Sequence, residues 1–138
     1  MNAYFDTSVI LRLLLGQSDD LKEWMHYENR VCSALVEVES LRTLDRMRLT
    51  GELTEEQSQE YRGALYDFLE TFELVEPTPA ILRRASGAFP TAIGTLEAIH
   101  LSTALAWQDE RAIPLVIATH DQSFGKAARA LGFKTDGF

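Results

Sequence analysis

Four carboxylates spread along this chain, Asp6, Glu39, Glu97 and Asp121, can be argued into one place, and there they would hold a hard divalent cation. Asp6 closes the stretch Asn2-Ala3-Tyr4-Phe5, which reads as a short buried strand running straight into a helix. The carboxyl ends of parallel strands are where α/β proteins bind ligands. Thr7 or Ser8 can cap the helix that follows. Asp121 stands in the same position, after the apolar run Leu115-Val116-Ile117-Ala118 and the pair Thr119-His120, and before another helix. If the two strands are parallel neighbours, both carboxylates share one edge of the sheet. The plain alternative for Asp121 is that it only caps its helix, and both readings stand at this point.

Glu39 lies in a long helix that also holds Glu37. Two residues on a helix point about 200° apart, so these two carboxylates do not serve one site. Glu39 shares its stripe with Leu35, Arg42, Thr43 and Arg46. It is either a partner of surface arginines, worth little, or a metal ligand beside phosphate-binding guanidinium groups. Glu97 sits in the first turn of the most apolar helix, where the dipole favours a carboxylate. A buried, unpaired carboxylate would be costly, and no basic residue follows within ten positions, so a metal is a candidate for the missing charge. Carboxylates without a Cys or His cluster describe an oxygen-only site, suited to Mg²⁺ or Mn²⁺ rather than Zn²⁺. Such ions support phosphoryl-transfer chemistry.

The elements that must position these groups alternate. The spacing predicts a strand over 2–6, a helix from Thr7 to about Leu15, a second helix from Ser18 or Asp19 through Trp24 and Met25, and a strand at Arg30–Cys32. Ser33 precedes a helix over Ala34–Leu49. Thr54-Glu55-Glu56-Gln57 is a capping box for a helix ending near Thr71. A strand over Phe72–Glu76 follows, then a helix with Thr78 as cap and Pro79 at its first position. A loop spans Gly87–Gly94. The rest reads as a helix over Thr95–Asp109, a central strand over Pro114–Ala118, a helix over Ser123–Leu131 and an edge strand at Gly132–Lys134. Strands alternating with helices predict an α/β fold with a parallel sheet covered on both faces.

At 138 residues the chain fits one domain, 1–138. Its longest apolar run is far too short for a membrane helix, and its start does not read as a signal peptide. The single cysteine, Cys32, excludes an internal disulfide and suits a reducing cytoplasmic compartment. A net charge of −8 argues against nucleic-acid binding through a broad basic face. It fits carboxylates gathered around cations, or a basic protein partner. A bound cation would also bridge an acidic pocket to a phosphodiester that it would otherwise repel.

At these residues the sequence resembles the PIN-domain ribonucleases, and within them the VapC-like toxins of toxin–antitoxin pairs. The resemblance rests on Tyr4-Phe5-Asp6-Thr7-Ser8, on Ser33-Ala34-Leu35 with Val38-Glu39 and Arg42, on Leu96 to Ala104, on Thr119-His120-Asp121, and on Ala127 to Gly132. It implies a three-layer α/β/α fold with about four or five parallel strands. It also implies a Mg²⁺- or Mn²⁺-dependent endoribonuclease acting on RNA, a cognate antitoxin and a homodimer. The family's acidic residues carry over to Asp6, Glu39, Glu97 and Asp121, and its Ser or Thr near the metal to Thr7 or Ser8 and to Thr119. Arg42 and Arg46 are candidate phosphate contacts. Glu97 stands where the family more often has Asp, and His120 where it often has Tyr.

Other residues read as structural. His100, three residues after Glu97, is a core histidine rather than a general base, and Cys32 is a small core residue. Trp24, Trp107, Tyr61, Phe68 and Phe72 read as core or partner-facing. Leu13-Leu14-Leu15 and the helix bearing Tyr61, Leu65 and Phe68 are expected to offer apolar surface to a partner. The rival function is a PIN-like module that binds RNA or protein without catalysis. A dehalogenase-type phosphatase would need a second Asp where Ser8 stands.

Overall fold

A computed structural model describes residues 1–16, 24 and 26–137. Its five strands are β1 (Asn2–Phe5), β2 (Asn29–Ser33), β3 (Glu73–Val75), β4 (Leu115–Ala118) and β5 (Lys134–Asp136). Six helices are described: α1 (Thr7–Leu14), α2 (Leu35–Leu49), α3 (Glu55–Leu69), α4 (Pro79–Ala85), α5 (Thr95–Arg111) and α6 (Gln122–Ala130). The sheet is wholly parallel, in the order β3-β2-β1-β4-β5. The chain winds outward from β1 through β2 to β3, then crosses back to β4. The reversal falls between β1 and β4, which is where such sheets open a crevice for ligands.

Side-chain alternation along β1 divides the core into two layers. Ala3 and Phe5 join a cluster with Val9, Ile10, Val36, Leu65 and Phe72. Tyr4 turns to the opposite face, among Leu101, Ala104, Trp107, Phe124 and Ala127. Helices therefore cover both faces, giving three layers, α/β/α. Leu13 and Leu65 are buried in the first cluster and Phe68 packs against it, so these residues form core rather than the expected partner surface. Trp24 and Phe72 stack within the same cluster, and Cys32 is fully buried there, as expected.

The helix starts follow from local chemistry. The Thr54 hydroxyl accepts the Gln57 N–H and the Gln57 side chain accepts the Thr54 N–H, both at 3.0 Å, a complete capping box. Thr78 caps α4 ahead of Pro79. Several boundaries differ from expectation by one or two residues. Helix α5 runs two residues further, to Arg111. Strand β5 begins at Lys134 rather than Gly132, because Gly132 has φ +94° and turns the chain before Phe133 drops into the core. The helix expected from Ser18 falls largely on positions outside the described residues.

Candidate functional site

The crevice at the carboxyl ends of β1 and β4 is built first by backbone pairing. The Asp6 N–H donates to the Ala118 carbonyl at 3.0 Å, carrying the β1–β4 pairing one residue past the strand. The Asp6 carbonyl then accepts the N–H groups of Val9 and Ile10, starting α1. Its side chain does not cap that helix. Instead Oδ2 accepts two hydroxyls, Ser8 Oγ at 2.8 Å and Thr119 Oγ1 at 2.9 Å. No hydrogen bond from the described residues falls on Oδ1.

Glu39 reaches the same corner from α2. Its Oε1 accepts the Thr7 hydroxyl at 3.0 Å and lies 2.7 Å from His100 Nε2. Asp6 and Glu39 thus stand on either side of Thr7, and Oε2 of Glu39 takes no hydrogen bond from the described residues. Glu37 is exposed, as the 200° separation requires. Glu39 is half-buried, so the two carboxylates face apart on α2 as the helical period predicts.

Asp121 is joined to the group through its backbone, whose N–H donates to Thr119 Oγ1 at 3.0 Å. Its Oδ1 caps α6 by accepting the Phe124 N–H at 3.0 Å. The cap reading is therefore present in the structure and uses one of the two carboxylate oxygens. Glu97 stands apart. Its carboxylate curls back over the first turn of α5, so close that a Cβ on Gly94 would come within 2.6 Å of Oε2. The positive end of α5 draws the charge there. Among the described residues, no three His, Cys, Asp or Glu side chains converge tightly enough to grip an ion.

A cleft of about 640 Å³ opens beside this corner, between α1 and α2. Ser8 and Asp121 form its inner edge, and Arg12, Thr43, Arg46 and Met47 its walls. A second cleft is lined by Glu39, Arg42, Thr43, Arg46 and Leu96. Arg46 borders both. Arg42 is exposed and pairs with Asp45 at 3.3 Å. Arg46 pairs with no carboxylate among the described residues and makes a long hydrogen bond, 3.4 Å, to Thr43.

Sequence reasoning missed the depth of this network. His100 is 2% exposed and its Nδ1 lies 2.5 Å from the Tyr4 hydroxyl. That hydroxyl also accepts the Ser33 N–H at 3.1 Å. Burial holds the Tyr4 phenol far above its ordinary range, with Cys32 adding a smaller push in the same direction, so it stays protonated. The available signal was a histidine inside an apolar helix together with a tyrosine at a strand position facing that helix.

The fold and this corner define a three-layer α/β protein with an acidic, hydroxyl-lined site at its switch point. The chain belongs to the PIN domain family, whose sequence profile matches residues 3–130. PIN domains are generally nucleases, and they typically use divalent metal ions. The structure is similar to VapBC2 from Rickettsia felis bound to a promoter DNA fragment, at 15% identity and a TM-score of 0.69, over 99% of this chain and 98% of that one. It is similar to the FitAB complex bound to an IR36 DNA fragment, at 15% identity and a TM-score of 0.72, over 98% and 94%. It is also similar to VapBC-1 from nontypeable Haemophilus influenzae, at 18% identity and a TM-score of 0.63, over 99% and 98%. At these identities the likeness is one of fold. No curated protein sequence matches the chain significantly. No helix among the described residues is long and apolar enough to cross a membrane.

Proposed function

We propose that this chain is a metal-dependent endoribonuclease of the VapC type, the toxin of a toxin–antitoxin pair, acting in the cytoplasm as a homodimer. The observation that carries this reading is the Asp6 carboxylate. It stands at a helix start yet is not used as a cap, and two hydroxyls hold one oxygen while the other takes no hydrogen bond from the described residues. Glu39 is likewise held through one oxygen, by the Thr7 hydroxyl and His100 Nε2.

The chemistry of this all-oxygen donor set suits Mg²⁺ or Mn²⁺, which need only one or two carboxylates and keep several waters, so a closed cluster of three side chains is not required. Asp6 and Glu39 would hold the ion through their free oxygens, with Asp121 through the oxygen not used for capping. Glu97 would join by leaving the α5 N-terminus once a cation offers it a stronger attraction. Ser8, Thr7 and Thr119 fix the carboxylates and receive no charge themselves. Bound there, the ion would activate water and offset charge on the phosphodiester. Arg46, with Arg42 beside it, would hold a neighbouring phosphate of the RNA strand along the clefts. The likeness to toxin–antitoxin complexes supports an antitoxin as the partner protein.

The test is to follow melting temperature and RNA cleavage with EDTA, Mg²⁺ and Mn²⁺, in wild type and Asp6→Asn. Metal should stabilise the wild type and support cleavage, and Asp6→Asn should lose both. Absence of any metal effect on the wild type would overturn the reading in favour of a non-catalytic binding module.

A further inference from the structure

A line of buried polar contacts runs from the middle of the sheet to Glu39. It begins at the Ser33 N–H, at the end of β2, which donates to the Tyr4 hydroxyl at 3.1 Å. Tyr4 Oη lies 2.5 Å from His100 Nδ1, and His100 Nε2 lies 2.7 Å from Glu39 Oε1. Four elements take part: β2, β1, α5 and α2. Tyr4 is fully buried and His100 nearly so.

Only one arrangement of protons serves every atom on this line. The Tyr4 oxygen already accepts from Ser33, so its own proton is directed to Nδ1. A proton on Nδ1 would meet that one head-on. It would also leave the bare Nε2 lone pair against a carboxylate oxygen. With Nδ1 accepting and Nε2 carrying the hydrogen, both ring nitrogens and both oxygens are matched.

We infer that Tyr4 and His100 are positioning residues for Glu39: the Tyr4 hydroxyl sets the His100 ring as the Nε2–H tautomer, and that N–H pins Glu39 Oε1 so that Oε2 alone is left for the cation. This rests on the metal reading proposed above. A histidine present only to fill the core needs no carboxylate partner and could satisfy itself on the backbone. This one ends its line on the oxygen that also receives the Thr7 hydroxyl. Both donors fall on one oxygen, which fixes the carboxylate plane. Such outer-shell partners of a metal ligand commonly matter about 10- to 100-fold for metal affinity or activity.

The test uses the full chain. Long-range proton–nitrogen NMR without metal should show His100 as the Nε2–H tautomer, and Tyr4→Phe should disturb it. The Nδ1–H tautomer in the wild type would overturn the inference. Mn²⁺ binding is then read from melting temperature and from the Mn²⁺ electron paramagnetic resonance signal. Tyr4→Phe and His100→Leu should raise the half-saturating Mn²⁺ concentration by about 10-fold. His100→Gln, which keeps an N–H at similar reach, should recover most of that loss. Folded variants with wild-type Mn²⁺ binding would overturn the positioning role while leaving the metal reading standing. A wild type that shows no Mn²⁺ effect would remove both. Should His100→Leu fail to fold, Tyr4→Phe, which removes one oxygen, decides the matter.

Discussion

The Thr119 hydroxyl donates to Asp6 Oδ2 at 2.9 Å and accepts the Asp121 N–H at 3.0 Å. One side chain therefore ties together two strand ends more than a hundred residues apart in sequence. Thr119 is buried, and the hydroxyl uses both its donor and an acceptor site. Thr119→Val keeps the shape and removes both bonds. It should lower stability by about 1 kcal/mol and weaken Mn²⁺ binding, while Thr119→Ser retains both properties. Urea unfolding with and without Mn²⁺ checks this. Equal behaviour of the Val and Ser variants would show that the hydroxyl is incidental.

Much of this corner was legible because strand ends are punctuated in sequence. Asp6 and Asp121 each follow an apolar run and precede a helix, so their place at one sheet edge needed only parallel, neighbouring strands, which β1 and β4 are. Helical period separated Glu39 from Glu37 but left its role open between ion pair and metal ligand, and the resemblance chose between them. The resemblance placed Thr7, Ser8 and Thr119 near the site, but that their hydroxyls donate to Asp6 and Glu39 depends on side-chain direction, which position does not give. Glu97 shows the limit. Its helix position was right, yet its extra methylene lets it fold back on the α5 N-terminus, and sequence carries no rotamer. His100 read as a core residue, and it is buried as expected. Its link to Glu39 arises because α5 and α2 converge above Tyr4, which no local pattern encodes. The same holds for Leu13 and Leu65, whose apolar stripes were plain but whose partners were not.

Thr54 offers a stability test remote from the site. Its capping box satisfies two backbone groups at the start of α3, the helix that delivers Leu65 and Leu69 to the core. Thr54→Ala should destabilise the chain by about 1 kcal/mol. Its Mn²⁺ response should match the wild type, since no hydrogen bond links this cap to Asp6 or Glu39 among the described residues. Chemical denaturation measures the first expectation and a Mn²⁺ titration the second. An unchanged unfolding midpoint would mean that water replaces the cap without loss.

Cys32 makes stability depend on alkaline pH. Burial pushes its thiol well above the ordinary range. An unfolded thiol ionises near about pH 8.5. Below that pH both states keep the proton, and the thiol adds no pH dependence. Above it the unfolded chain releases a proton that the folded chain retains, so stability falls by up to about 1.4 kcal/mol per pH unit. The Tyr4 phenol, also raised by burial, adds to the fall only above about pH 10. Between those two values the slope belongs mainly to Cys32. Cys32→Ala should therefore lower stability near neutral pH yet flatten the loss between about pH 8.5 and about pH 10. Urea midpoints across that window decide it, and identical slopes would show that the folded thiol ionises freely.

Arg46 is the guanidinium best placed to meet a phosphate. It borders both clefts beside the carboxylate corner, and its described hydrogen bond is the long one to Thr43. Arg42, one turn earlier, is already paired with Asp45. Bringing Arg46 to a phosphate breaks no ion pair among the described residues, whereas moving Arg42 would break its contact with Asp45, which Arg48 would still hold. Arg46→Ala should weaken binding of a single-stranded RNA about tenfold, the effect of losing roughly 1.5 kcal/mol of hydrogen bonding to a charged group. The dependence of log affinity on log salt should become shallower by about 0.7, one released counterion on a single strand. Arg42→Ala should change both quantities less. The loss should appear in KM with kcat nearly preserved, because a contact to a phosphate away from the scissile bond is made equally in the ground and transition states. A salt slope unchanged by Arg46→Ala would place this residue outside the RNA path and leave the two clefts to some other part of the recognition.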